Sequence, residues 1–238
     1  MDLDILAFGA HPDDVEISAS GTILKHVAMK KSVGVVDLTR GELGTRGNAE
    51  LRAKEAEKAA KILGLSVRIN LGLPDGFFEV NESSIRKVVE QIRAFKPEIV
   101  LCNAISDRHP DHGRASKLVS DACFFSGLAK YETELNGKKQ SAWRPKAVYH
   151  YIQDRYTNPD IVIDITDFFK RKMDSIMAYE TQVHNPDSKE PQTPISTPEF
   201  LEYIKARDAH SGRFINVAFA EGFTVERAPG VKSLFDLV

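Results

Sequence analysis

Four short apolar runs alternate with segments of helical periodicity in the first half of the chain, and this alternation restricts the fold more than any other feature. Most residues in the runs are apolar, as expected for strands that are covered on both faces of a sheet. Strands that alternate with helices form right-handed crossovers in a parallel sheet. The predicted strands are Asp4–Phe8, Val33–Leu38, Val67–Leu71 and Ile99–Asn103. The sequence therefore predicts an α/β fold, a Rossmann-like three-layer sandwich with a mostly parallel sheet.

The segments between these runs predict helices with recognisable ends. Gly64 is well suited to end the second helix. Ser83 is the expected cap of the third helix, which should stop before Pro97. The predicted helices run from Asp14 to about Met29 and over Ala49–Leu63, Ser83–Phe95 and Asp111–Phe125.

The second half of the chain is less regular, and we expect it to supply C-terminal additions to the sheet. Lys130–Arg144 is polar and is predicted to be a loop, and the proline-rich segment His184–Pro198 is a candidate lid. Without an internal repeat, the chain is expected to form a single domain over residues 1–238. The further predicted elements are strands at Ala147–Ile152, Ile161–Ile165 and Val217–Thr224, and helices at Thr166–Tyr179 and Thr197–Ala209.

Charge and composition exclude several classes of partner. The chain has 32 basic and 34 acidic residues, so its formal net charge of -2 gives no electrostatic reason to bind nucleic acid or an anionic membrane. No apolar run approaches the length that spans a bilayer, and we read no signal peptide, so a cytoplasmic protein is expected. Cys102 and Cys123 are expected to be two buried thiols in a reducing compartment, the alternatives being a thiolate ligand or a disulfide.

Two similar motifs follow the first and fourth predicted strands. His11-Pro12-Asp13-Asp14 comes just after the first strand, and His109-Pro110-Asp111-His112 comes a few residues after the fourth. Loops at the carboxyl ends of parallel strands converge on one crevice, so the two motifs should meet there. Imidazoles and a carboxylate form the ligand set of a mononuclear zinc site, with a further carboxylate left to act as a base. The alternative for each motif alone is a polar turn that caps a helix.

These motifs, within Ala10–Glu16 and His109–His112, resemble the PIG-L/LmbE family of zinc-dependent N-acetylglucosamine deacetylases. The chain is most similar to the branch of bacillithiol biosynthesis that deacetylates N-acetylglucosaminyl malate. The resemblance covers nearly the whole chain and implies one Zn²⁺ per chain, although another divalent transition metal can occupy a similar site. The further segments that carry it are Asp37–Gly47, Glu50–Arg52, Asn70–Gly76 and Ala218–Phe223.

The resemblance assigns His11, Asp14 and His112 as the metal ligands and Asp13 as the general base. The sequence alone leaves open which of the two adjacent aspartates binds the metal. Two imidazoles and one carboxylate leave a coordination position for water, as a catalytic zinc requires.

The remaining predicted catalytic residues are His109 and Asp111. Together with zinc, His109 would stabilise the oxyanion of the tetrahedral intermediate. Asp111 would orient His109 and favour its protonated form, as a carboxylate next to an imidazole does.

Five residues are predicted to contact the substrate. Arg52 lies at the start of a helix, where the helix dipole disfavours a cation, so it is expected to bind an anionic or hydroxylated ligand. Arg46, Arg108 and Arg155 are candidates for the malate carboxylates, because a guanidinium group grips carboxylates in a bidentate way. Glu42 belongs to the glycine-containing loop after the second strand, which should border the same crevice. The alternative for each arginine is an ordinary surface ion pair.

The expected partner is a small-molecule amide substrate, a sugar conjugate, and relatives suggest a homo-oligomer by analogy. Other substrates compatible with the same chemistry are free N-acetylglucosamine, a chitooligosaccharide or a thiol conjugate. A nucleotide-binding Rossmann module is disfavoured because Gly9-Ala10-His11-Pro12-Asp13 lacks the GxGxxG turn. A structural zinc protein would need four protein ligands.

Overall fold

A seven-stranded sheet lies at the centre of the protein in the computed structural model, which describes residues 1–237. Its strands are β1 (Ile5–Gly9), β2 (Val33–Thr39), β3 (Val67–Leu73), β4 (Ile99–Cys102), β7 (Ala147–Tyr151), β8 (Ile161–Asp164) and β9 (Ala220–Val225), and a separate two-stranded sheet consists of β5 (Glu134–Leu135) and β6 (Lys138–Lys139). The helices are α1 (Asp14–Ala28), α2 (Ala49–Leu63), α3 (Glu82–Phe95), α4 (Pro110–Ser126), α5 (Phe169–Met177) and α6 (Pro198–Arg213). Short 3₁₀ turns occupy Thr166–Phe168 and Leu234–Asp236.

The order of strands in the sheet is β3-β2-β1-β4-β7-β9-β8. The first five of these strands are parallel, whereas β9 runs antiparallel to both β7 and β8. The predicted α/β sandwich with a mostly parallel sheet and C-terminal additions is therefore confirmed.

Alternate residues of the central strands pack into two cores on opposite faces of the sheet. In β1, Leu6 and Phe8 pack with residues of α3 and α4, whereas Ile5 and Ala7 pack with residues of α1. A strand covered on both faces must be apolar throughout, which explains why its sequence shows a continuous run. Burying a side chain as large as Phe8 contributes roughly 2–3 kcal/mol, so these strands anchor the loops that follow them.

The neighbouring strands β1 and β4 form the switch point of the sheet. The helix that follows β1 packs on one face, and the helix that follows β4 packs on the other. The loops leaving these two strands therefore diverge and open a crevice between them, which is where open α/β sheets bind ligands.

Several predicted boundaries need correction in the second half. The predicted loop Lys130–Arg144 contains the short antiparallel pair β5–β6. The helix predicted at Thr166–Tyr179 begins with a 3₁₀ turn, and the last strand begins at Ala220 instead of Val217. Cys102 and Cys123 are both buried free thiols, as expected.

The cap of α3 is Asn81, not Ser83 as predicted. The Asn81 side chain accepts a hydrogen bond from the backbone N–H of Ser84 at 3.0 Å, and Glu82 is the first helical residue. Ser83 lies one residue inside the helix, where its hydroxyl donates to Asn81 Oδ1 at 2.8 Å.

Replacing Asn81 with alanine is expected to lower the free energy of unfolding by about 1 kcal/mol, because a first-turn N–H loses its acceptor. Urea denaturation should show a lower midpoint with an unchanged slope. The matched control is Ser83→Ala, which leaves the cap in place and should change the stability by less than about 0.5 kcal/mol. A larger effect for Ser83→Ala than for Asn81→Ala would contradict the assignment of the cap.

No helix within residues 1–237 is both long enough and apolar enough to cross a membrane.

Candidate metal and active site

Both histidine motifs border one cavity of about 450 Å³ at the carboxyl ends of β1 and β4. The cavity is also lined by the loops after β2, β3 and β7 and by α6. Part of the proline-rich loop forms a wall, through Thr193, Pro194 and Ile195. The predicted convergence of the two motifs is therefore seen in the structure, and the candidate lid does border the cavity.

The three side chains predicted as metal ligands lie together at the buried end of this cavity. Asp14 Oδ1 is 3.1 Å from His112 Nε2, and Asp14 Oδ2 is 3.6 Å from His11 Nδ1. Zinc bonds of 2.0–2.1 Å in a tetrahedral site place ligand atoms about 3.3 Å apart. Each of the two separations is close to this value, with a different oxygen of Asp14 facing each imidazole.

Each of the two imidazoles is also held by carboxylates at its other ring nitrogen. His11 Nε2 lies 3.0 Å from Asp75 Oδ1 and 3.3 Å from Asp111 Oδ2. His112 Nδ1 lies 2.5 Å from Asp107 Oδ2. A carboxylate behind a histidine fixes its tautomer and leaves the opposite nitrogen for a metal, which is the usual arrangement around metal-binding histidines. The donor set and its surroundings both suit a metal ion.

Carboxylates dominate the electrostatics around the two imidazoles. Burial alone lowers the pKa of His112, but Asp14 and Asp107 outweigh burial and raise that pKa to about 9. Burial alone raises the pKa of Asp75, but the hydrogen bond from His11 and the charge of His11 outweigh burial and lower that pKa to about 2. The cluster therefore stabilises positive charge at the position where the ligand atoms meet.

His109 lies close to the same atoms. Its ring centroid is 4.6 Å from that of His11 and 5.2 Å from that of His112. One potential ligand atom from each of the three histidines lies within 4.8 Å of those of the other two. A second group with the same spacing consists of one such atom each from His11, Asp75 and Asp111. The half-buried His109 ring is thus placed to contact whatever binds beside the predicted ligands.

Asp13 adopts an unusual backbone conformation at the start of α1. Its φ of 127° lies in a region that residues with a side chain rarely adopt, and such strain costs about 1–3 kcal/mol. Asp13 Oδ2 accepts a hydrogen bond of 2.6 Å from Arg52 Nη2, and Arg52 Nε donates to the carbonyl of Pro12 at 3.1 Å. Burial raises the pKa of Asp13 to about 6, although the charge of Arg52 opposes this shift. The buried carboxylate is held rigidly next to Asp14.

The predicted contact between the Asp111 carboxylate and His109 is wrong. Asp111 directs its carboxylate at His11, at the backbone N–H of Gly76 (2.8 Å) and at Arg114 (2.7 Å). Only the backbone N–H of Asp111 contacts His109, which accepts it through Nδ1 at 3.2 Å. Burial and the charges of His11 and His112 lower the pKa of His109 despite Asp111, so the protonated form is not favoured.

Two of the five predicted substrate residues line the cavity. Arg52 lines the cavity, but its guanidinium group already donates a hydrogen bond to Asp13. Arg108 lines the outer part, and its Nε donates to Asp154 Oδ2 at 3.0 Å.

The other three predicted substrate residues are not among the residues that line the cavity, so their contact with the substrate stays a prediction. Arg46 is buried against the proline-rich loop and donates to the carbonyl of Val183 at 3.3 Å. Arg155 is exposed and lies beyond the lining residues. Glu42 accepts the backbone N–H of Asp75 at 3.1 Å and so shapes the loop without bordering the cavity.

The structure also adds residues that the sequence analysis did not single out. Asp75 follows the predicted strand Val67–Leu71 and Asn103 is the last residue of the predicted strand Ile99–Asn103, so their position at a carboxyl end was a usable signal. Asp107 lies just before the second motif and could have been found in the same way. Gln153 also lines the cavity and directly follows the predicted strand Ala147–Ile152, whereas Arg207 lies within a predicted helix and no local pattern marks it.

Comparison with known proteins identifies relatives of this chain. Residues 6–123 match the family model described as PIG-L, GlcNAc-PI de-N-acetylase. The chain is 29% identical over 178 residues to a mycothiol S-conjugate amidase of Streptomyces coelicolor, a match that covers 62% of this chain and 60% of that protein. It is 27% identical over 239 residues to a diacetylchitobiose deacetylase of Thermococcus kodakarensis, covering 95% of this chain and 84% of the relative.

The fold also matches a solved structure over its full length. A conserved protein from Thermus thermophilus superposes with a TM-score of 0.86 and 31% sequence identity, covering 98% of each chain. The match includes the irregular second half, where the sequence patterns were weakest.

Proposed function

Because the chain belongs to the PIG-L family, we propose that it is a metal-dependent hydrolase that removes the N-acetyl group from an N-acetylglucosamine conjugate. The products are acetate and a free amine. The observation that carries this proposal is the position of the Asp14 carboxylate between His11 and His112, with the Asp13 carboxylate beside it.

The proposed ligands are His11, Asp14 and His112, and the proposed ion is Zn²⁺, which suits two imidazoles and one carboxylate. When bound, the ion would polarise the acetamide carbonyl and lower the pKa of a water molecule towards neutrality. Asp75, Asp111 and Asp107 would keep the two imidazoles in the tautomers that this role needs.

Asp13 is the proposed general base. It accepts a proton from the water that attacks the carbonyl carbon, and it later returns that proton to the nitrogen of the leaving amine. Its hydrogen bond to Arg52 holds one carboxylate oxygen, so the other oxygen is available for proton transfer. The strained backbone at Asp13 is consistent with a residue placed for chemistry and not for stability.

His109 is the proposed donor to the oxyanion that forms when the carbonyl is attacked. Its Nδ1 accepts the backbone N–H of Asp111, so the proton of the neutral ring resides on Nε2. A neutral imidazole with this tautomer donates a hydrogen bond from Nε2 into the cavity that His109 lines.

Replacing His109 with alanine is expected to lower kcat by about 10²–10³-fold, because one oxyanion donor is lost. Amine release from the substrate measures the activity, and metal analysis of the same preparation should show unchanged metal content. His26→Ala is the control, since His26 lies on α1 away from the lining residues and should leave kcat unaffected. Near-normal turnover of the His109→Ala variant would remove His109 from the mechanism.

Within this class, N-acetylglucosaminyl malate is the substrate we propose first. The support comes from the sequence segments around β2 and β3 and from Arg108, which lines the outer cavity. A charged hydrogen bond to a malate carboxylate is worth about 1.5–3 kcal/mol, or roughly 10–100-fold in kcat/KM.

The test compares kcat/KM for N-acetylglucosaminyl malate with that for free N-acetylglucosamine, diacetylchitobiose and a mycothiol S-conjugate. Arg108→Met should reduce the preference for the malate conjugate without affecting free N-acetylglucosamine. A higher kcat/KM for another of these amides would identify that amide as the preferred substrate. Absence of amine release from all of them would refute the deacetylase function.

A further inference from the structure

Two buried side-chain amides contact the Asp14 carboxylate, one at each oxygen. Asn103 Nδ2 donates to Asp14 Oδ2 at 3.0 Å, and Gln153 Nε2 donates to Asp14 Oδ1 at 3.1 Å. Asn103 follows β4 and Gln153 follows β7, so the carboxylate is held from two neighbouring strands. Hydrogen bonds to an ionised acceptor are about twice as strong as neutral ones, and these two orient the carboxylate plane together with the backbone N–H of His11, which donates to Oδ2 at 2.9 Å.

The orientation of both amides is itself determined by their oxygen atoms. Asn103 Oδ1 accepts the backbone N–H of Ala10 at 2.9 Å. Gln153 Oε1 accepts Asn103 Nδ2 at 3.0 Å and the backbone N–H of Ala104 at 3.2 Å. A flip of either amide would place an NH₂ group against another N–H donor. The NH₂ groups of both side chains therefore face Asp14.

Helix α6 supports this network from outside. The backbone carbonyl of Gln153 accepts a hydrogen bond from Arg207 Nη1 at 3.1 Å, and the Tyr203 hydroxyl donates to the adjacent carbonyl of Asp154 at 2.6 Å. Arg207 Nη2 also donates to the carbonyl of Ile17 at 2.6 Å, which ties the loop after β7 to α1. The C-terminal addition to the sheet thus contacts the residues around Asp14 through Gln153.

We propose that Asn103 and Gln153 are positioning residues that hold Asp14 in the orientation needed to share a metal ion with His11 and His112. This inference rests on the metal site of the proposed function. Neither amide is a ligand or a proton donor in the reaction, and their effect is on metal affinity. Loss of such a partner of a ligating carboxylate typically weakens metal binding about 10–100-fold.

The test measures the zinc affinity of Gln153→Met by competition with a chromophoric chelator, without substrate. Methionine has a similar length and lacks both amide functions. We expect a dissociation constant about 10–100-fold higher than that of the wild type and a changed absorption spectrum of the Co²⁺ form. Asn103→Leu should act in the same direction.

Gln182→Met is the matched control, because Gln182 is a buried glutamine that lines the same cavity and donates to the Arg46 carbonyl at 3.0 Å instead of to Asp14. It should bind zinc within about threefold of the wild type. Circular dichroism of the metal-free proteins identifies variants that fail to fold. If Asn103→Leu fails to fold, the zinc affinity of Gln153→Met is the result that tests the inference.

A folded Gln153→Met variant with wild-type zinc affinity and an unchanged Co²⁺ spectrum would overturn this inference and leave the proposed deacetylase untouched. Wild-type protein that binds no zinc would overturn both. An equal loss of affinity in Gln182→Met would show a general effect of cavity substitutions, which also contradicts a specific role for the amides.

Discussion

Asp13→Asn is expected to lower kcat for amine release by about 10²–10⁴-fold, the usual contribution of a general base. Asparagine has nearly the same shape but cannot accept a proton from water at neutral pH. The three proposed ligands His11, Asp14 and His112 are unchanged in this variant, so its metal content should equal that of the wild type. The loss should appear in kcat, with little change in KM, because the interaction is made in the transition state.

The matched control is Asp174→Asn, which makes the same chemical change at an exposed carboxylate on α5. Its kcat should match the wild type. Steady-state kinetics on metal-loaded protein, with the metal quantified in each preparation, provides the measurement. Turnover of Asp13→Asn at more than about a tenth of the wild-type rate would show that another group takes the proton.

Removal of the metal is expected to reduce amine release by about 10³-fold or more. A bound ion contributes several kcal/mol by stabilising developing charge, and each 1.4 kcal/mol corresponds to a factor of ten in rate. Dialysis against a chelator gives the metal-free protein, and the readout is amine release before and after Zn²⁺ is added back. Activity should return on addition of Zn²⁺.

Asp14→Ala separates this effect from damage caused by the chelator. Without the carboxylate that lies between the two imidazoles, the variant should bind Zn²⁺ poorly and should regain little activity when Zn²⁺ is added. Unchanged amine release by wild-type protein shown to be metal-free would refute a metal-dependent mechanism, and full activity of Asp14→Ala would exclude Asp14 as a ligand.

The central strands were predictable because burial on both faces makes each strand a continuous apolar run. β1, β2, β3 and β4 were predicted within about two residues of their observed ends. The cap of α3 was misplaced by two residues because Asn81 and Ser83 are both good capping residues. Only the backbone geometry shows which of the two side chains accepts the N–H of Ser84.

The positions of the side chains predicted to contact the substrate were harder to predict, because each depends on where a long side chain ends. Arg46 extends towards Val183 and Glu190, and Arg52 turns towards Asp13. An arginine side chain spans several ångströms and takes whichever carboxylate or carbonyl lies within reach. The identity of that partner is set by segments far away in sequence, so it leaves no local pattern.

The sequence by itself determined that two histidine motifs lie at the carboxyl ends of β1 and β4, and hence that imidazoles and carboxylates meet in one crevice. Local periodicity specifies strands and helices, and the common direction of parallel strands then places the loops that follow them at one edge of the sheet. Only the tertiary structure decided that Asp75 partners His11 and that Gln153 reaches Asp14. These contacts join residues from different strands, 64 positions apart for His11 and Asp75 and 139 for Asp14 and Gln153. Their existence depends on how whole elements pack against one another, and local preference carries no information about that packing.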